Sequence, residues 1–176
     1  GAADSPSIGE STTSNVKMCT ANDCATGCVG ATTGNSPVNV SGLTNGTAYY
    51  GCVQSRDLAS NTSSFVASGT TVTVDTTAPT VTGVTSSTAD GRYKAGDAIS
   101  IQVNFSENVT VTGTPQLTLS TGTPATTPVN YVSGSGTSTL TFTYTIAAGN
   151  TSADLDYNAA GSLSAGTSIQ DAAGNN

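Results

Sequence analysis

Histidine and tryptophan are absent from the 176 residues, and lysine and arginine together number four against eleven aspartates and glutamates. Each shortage closes a class of function. Without histidine the chain lacks the commonest general base and a common zinc ligand. With only Lys17, Arg56, Arg92 and Lys94 as cations the net charge is −7, which excludes a nucleic-acid partner or an anionic lipid surface and suits divalent cations. No apolar run approaches the roughly 18 residues of a membrane span, so no membrane insertion is expected, and any export signal lies outside the chain. Nor is there a Gly-x-Ser-x-Gly elbow, a phosphate-cradling glycine loop leading into a helix, or a carboxylate pair on a plausible cleft; the chain does not read as an enzyme. Apolar residues never recur at i, i+3, i+4 and i+7, so no long helix is expected.

What the chain does have is alternation. In Thr71–Val84, TVTVDTTAPTVTGV, two β-branched runs flank Thr76, Thr77 and Ala78, followed by Pro79. Pro79 fixes its own φ and pushes Ala78 toward extended geometry, so the segment reads as a short, semi-rigid joint. The fold class is all-β: two tandem β-sandwich domains, residues 1–75 and 76–176, joined by this short Pro-containing linker. Residues 1–15 read as loop with at most one edge strand, Val16–Thr20 as a strand, the NDCATGCVGATTGNS stretch as a turn-rich excursion, and PVNVSG as a short strand. All four cysteines, Cys19, Cys24, Cys28 and Cys52, fall in the first domain. They read as two disulfides formed in an oxidising compartment, and hence as a secreted protein, because zinc would want CxxC pairs or histidine. Three pairings remain open.

The run LTNGTAYYGCVQSRDLASN, residues 43–61, resembles the end of a fibronectin type III domain through Leu43, Gly46, Thr47 and Tyr49, over roughly residues 14–75. The resemblance implies that Tyr49 is a corner tyrosine whose hydroxyl bonds nearby backbone, and that early strands are lacking. It also implies that Tyr49, Gly51 and Val53 point inward, with Cys19 and Cys52 on the outer face of adjacent strands. Pairing Cys19 with Cys52 and Cys24 with Cys28 follows from that alignment.

From Pro79 onward the chain resembles bacterial immunoglobulin-like repeats of large secreted surface proteins, through VDTTAPTVTGVTSS, YKAGDAISIQVNFSENV, TSTLTFTYTI and the terminal DAAGNN. Ile99, Ile101, Val103 and Phe105 line one strand face, and Leu140, Phe142, Tyr144 and Ile146 another; together they form the expected core. Pro115, Pro124 and Pro128 belong to edges or loops. The resembling repeats continue with a last strand after DAAGNN, so the chain reads as a window of a longer array or as a subunit whose missing strand comes from a neighbouring copy.

One constellation points to chemistry. In a sandwich whose first strand leaves the linker, the turn after the second strand and the final hairpin turn both return to the linker end. That gathers Asp75, Glu107, Asp171 and Asn175 into an oxygen-rich set suited to Ca2+, which takes six to eight oxygen ligands. The alternative is turn chemistry alone, with Asp171 capping its own turn and Asn175 left-handed. Asp57–Asn61 repeats the pattern, with only the loop carrying Asp4 as a partner. The functional expectation is a structural or adhesive segment of an exported bacterial cell-surface protein or extracellular filament, with neighbouring copies, surface glycans or proteins as partners. A carbohydrate-binding accessory module of a secreted hydrolase, stacking sugars on Tyr50 and Tyr131, is the alternative, weakened by 5 % aromatics and no tryptophan.

Overall fold

A computed structural model describes residues 13–34, 37–57 and 59–176; the expectations for residues 1–12, including a role for Asp4, lie outside them. The described residues contain strands and turns and no helix, in two compact units that divide after Thr76.

In the first unit the strands are β1 (Thr13–Cys19), β2 (Cys28–Gly34), β3 (Ala48–Arg56) and β4 (Val66–Thr73). They form one antiparallel sheet in the order β2-β1-β3-β4, so the expected two-sheet sandwich is, among the described residues, a single layer. Two sequence assignments change. The supposed excursion after Cys24 contains strand β2, and residues 37–42, expected as a strand, are irregular. Hairpin pairing decides this: β1 already has β2 on one side, from Cys19↔Cys28 to Ser14↔Gly34, and β3 on the other, leaving no position beside it for residues 37–42.

Register also corrects the disulfides. Cys19 bonds Cys28, and Cys24 bonds Cys52. The two cysteines do share a face, since Cys19 opposes Tyr50 and Lys17 opposes Cys52 across β1 and β3, but it is the buried face and not the outer one expected. On that face, however, Cys52 is only a diagonal neighbour of Cys19, about 7–8 Å away by ladder geometry. Cys28 is directly opposite, with a Cα–Cα distance of 4.0 Å. Cys24, held at φ +52° in the β1–β2 connection, is left to reach Cys52. The sulfur atoms with Phe65 and Ala67 make the unit's apolar cluster, and the Lys17 ammonium lies 4.1 Å over the Phe65 ring. Val53, expected inside, is 44 % exposed because the opposite face has no covering layer among the described residues. Tyr49 is the corner residue expected: it is buried, and its hydroxyl accepts the Thr44 N–H at 3.1 Å.

The second unit holds β5 (Val81–Ser86), β6 (Ala98–Thr112), β7 (Gln116–Ser120), β8 (Thr126–Ser133), β9 (Thr137–Thr145), β10 (Asp156–Tyr157), β11 (Leu163–Ser164) and β12 (Ser168–Gln170). The order is β10-β7-β8-β9-β6-β12, with β11 also on β7 and β5 on β6. Alternation in β6 and β9 buries Ile99, Ile101, Val103 and Phe105 against Leu140, Phe142 and Tyr144, as expected. Leu117 and Leu119 of β7, Val129 of β8 and Ile169 of β12 close the core from the other side. Pro128 sits in β8 where that strand pairs with β7; the pairing with β9 begins only at Tyr131, so the missing N–H breaks no ladder bond.

Candidate functional site

Strand β6 is long enough to serve two partners, and a bulge marks the handover. Its first half pairs with β9 as far as Asn104↔Thr139, the register slips before Val109↔Thr137, and Thr110–Thr112 then pair with β12. Glu107 lies in that slip, where a bulge re-aims side chains. Asp171 follows Gln170, which is paired with Thr110, so the end of β12 returns to the bulge. The entry to β5 is fixed beside both. Ser106 N–H donates to the Thr80 carbonyl at 2.9 Å, and Thr80 N–H donates to Ser106 Oγ at 3.0 Å. Within the second unit, carboxylate oxygens of Glu107 and Asp171 lie within 4.8 Å of each other, Glu107 half-buried and Asp171 buried; Asp75, in the first unit, is exposed.

Of the residues expected to gather, Glu107 and Asp171 lie together in the second unit, and Asn175 is attached through Asp171. Asn175 Nδ2 donates to Asp171 Oδ2 at 2.7 Å, while Asp171 Oδ1 accepts the N–H groups of Ala173 and Asn175, both at 2.8 Å. The turn chemistry offered as the alternative is therefore also present, with one difference. Gly174, at φ +93°, takes the left-handed position expected of Asn175. Burial pushes the Asp171 carboxyl up, but the Asn175 amide and the N–H groups of Asn175, Gly174 and Ala173 outweigh it and hold the group below its ordinary value. Asp171 therefore stays ionised beside the Glu107 carboxylate.

The donor set suits a hard cation. Ca2+ sits about 2.3–2.6 Å from each oxygen, so ligands on opposite sides of the ion are about 4.6–5.2 Å apart, a span that accommodates the Glu107 and Asp171 carboxylates.

The first unit carries a related turn. Asp57 Oδ1 accepts the Asn61 N–H at 2.7 Å, Asn61 Nδ2 donates to Asp57 Oδ2 at 2.8 Å, and Ser60 takes the left-handed position at φ +70°. The residue that sequence reasoning passed over is Asp23. Its carboxylate accepts the Thr26 hydroxyl at 2.6 Å and the N–H groups of Ala25 and Thr26, shaping the loop that carries Cys24. An Asp followed three residues later by Thr is the signal that could have exposed it. The Thr26 hydroxyl first, then the two N–H groups, lower the Asp23 pKa from 3.8 to about 2. Because the folded value is the lower one, this carboxylate's contribution to stability is complete above 3.8 and is lost as pH falls through about 2. Thermal melts of the first unit are expected to drop across that window. Asp23→Asn should flatten the drop, leaving the part due to Asp57, whose pKa the Asn61 side chain and N–H also lower. An unchanged slope in the variant would exclude Asp23 as the source.

Of the tyrosines proposed as a sugar platform, Tyr50 is half-buried. Tyr131 packs edge-on against Phe142, with ring centroids 6.1 Å apart, and its hydroxyl accepts the Ser135 N–H. The more exposed tyrosines are Tyr93 and Tyr157.

Comparison with known sequences gives one match: the family model described as bacterial Ig-like domain covers residues 75–176, more than half of the chain. The matched segment takes in Asp75, Glu107, Asp171 and Asn175. No curated protein matches, and no solved structure does.

Proposed function

Because the chain belongs to the bacterial Ig-like domain family, we propose that it works as a load-bearing spacer module of an exported bacterial surface protein or filament, with Ca2+ held by Asp75, Glu107 and Asp171. The observation that carries this reading is the approach of Glu107, in the β6 bulge, to the buried and ionised Asp171 in the second unit. Bound there, the ion would supply charge neutralisation and tie the segment before β5 to the β6 bulge and the turn after β12. Asn175 takes no coordinating part in this scheme; it orients Asp171 by donating to it. Binding sites for proteins or glycans belong to exposed loops, and the cell surface is the place of action. The two disulfides agree with an oxidising environment.

Ca2+ binding only to the folded state raises stability by about 2.7 kcal/mol at a hundredfold excess over Kd. The second unit's melting temperature is therefore expected to rise with added Ca2+ and fall back on chelation, with a matching heat in calorimetric titration. Glu107→Gln, which leaves the Asp171 turn intact, should abolish both responses. A second unit whose melting ignores Ca2+ and chelator alike would sink the metal proposal.

A further inference from the structure

The side of the second unit between β5 and the β10–β11 segment is open. A groove of about 390 Å³ runs there over Val103 and Leu117, with Val81 and Val84 on one wall and Tyr157 and Leu163 on the other. Val84 and Tyr157 also line a larger cleft of about 1060 Å³, so the opening continues along the unit. Val81 is 48 % exposed and Tyr157 44 %. Both walls are strand edges: among the described residues β5 pairs with β6 alone, and β10 and β11 pair with β7 alone. An apolar groove flanked by unpaired strand edges fits an extended strand, which satisfies main-chain groups at an edge while alternate side chains fill the floor.

The same chain displays a strand of that chemistry. β4 is the outer strand of the first unit's sheet, eight residues against six in β5, and neither contains a charged residue or a proline. Charged residues and prolines commonly blunt an edge; what each of these strands carries is a bulge. Val66, opposite Val53, and Val72, opposite Tyr49, share one face of β4 on either side of a bulge, and the two valines are 69 % and 63 % exposed. The sheet's other outer strand, β2, presents no large exposed apolar side chain among the described residues.

We infer that β4 of a second copy of this chain docks along β5, with Val66 and Val72 over the groove. This rests on the spacer reading above and names its partner. Donor and acceptor are different surfaces, so the contact is head-to-tail and propagates instead of closing in a symmetric pair.

The test is sedimentation velocity on the full chain over a concentration series. The wild type should associate increasingly with concentration. Val72→Lys disables the donor and Val81→Lys the acceptor, and each alone should stay monomeric. Mixed one to one, they should form dimers and nothing larger, because one copy keeps its acceptor and the other its donor. Both positions are exposed, and a circular dichroism spectrum matching wild type confirms that each variant folds. A wild type monomeric at its highest soluble concentration, or variants that associate as it does, overturns the inference. Loss of association in Val81→Lys alone would exclude β4 as the occupant. A monomer whose second unit is still stabilised by Ca2+ would discard this docking and leave the spacer reading standing.

Discussion

Reduction of the two disulfides will unfold the first unit and leave the second folded. Among the described residues the first unit has no aliphatic interior to fall back on. Its buried cluster is Cys19, Cys24 and Cys52, backed by Cys28, Phe65 and Ala67, whereas twelve buried hydrophobic residues make the second unit's core. Loop-closure entropy puts the sequence separations of 9 and 28 at about 2.7 and about 3.6 kcal/mol. The loops interleave, so the two figures do not add. Either is a large fraction of the 5–15 kcal/mol typical of whole domains, and a single sheet with one open face is expected near the bottom of that range. Hydrogen exchange with and without reductant is the measurement. Amides of β1, β3 and β4 should lose protection on reduction, and those of β6 and β9 should keep it. Persistent protection of β3 after complete reduction would mean that the sulfur atoms are not what hold this sheet together.

Phe142→Ala will have the opposite distribution. Phe142 is fully buried in β9, opposite Ile101 of β6 and Tyr131 of β8, and edge-on to the Tyr131 ring. Its removal leaves a cavity at the meeting point of three strands, and Phe→Ala changes of this kind cost about 3–5 kcal/mol. Urea titration followed by segment-resolved exchange should show the second unit's midpoint falling accordingly while the first unit's stays in place. Phe142→Leu, which keeps most of the volume, should recover the greater part of the loss. A shift below about 1 kcal/mol for the alanine variant would mean that the core collapses around the gap.

These two results draw on the most legible and the least legible parts of the sequence. The β6 and β9 cores could be read because Ile, Val, Leu and Phe alternate there with Ser, Gln, Asn and Thr over long runs, and period-2 patterning specifies a half-buried strand. Tyr49 could be read because a corner tyrosine leaves a local signature. The approach of Glu107 to Asp171 followed from topology, since strand ends that return to one end of a sandwich bring their flanking residues with them. By contrast β2, CVGATTG, is built of small residues with little contrast between faces, so it passed for loop. The disulfide pairing failed with it, because which cysteine faces Cys19 is a matter of β2 register. Val53 was placed inside on the assumption of a second layer that the described residues do not provide. Asp23 escaped because its partners lie two and three residues away and leave no periodic trace.

The interleaved bridges have a mechanical corollary. A chain pulled from both ends stretches an unfolded segment to at most about 3.3–3.6 Å per residue. Residues 19 to 52 would release about 110 Å in this way if unbridged. With Cys24 bonded to Cys52, tension passes from Cys19 to Cys24 and straight across the disulfide, and the route through the Cys19–Cys28 bond and back to Cys24 is about equally short. Roughly 90 Å of contour therefore stays locked for as long as the sulfur bonds persist. Even with its sheet pulled apart, the first unit keeps that length out of reach, and the redox state of four cysteines sets how far a stretched module can extend.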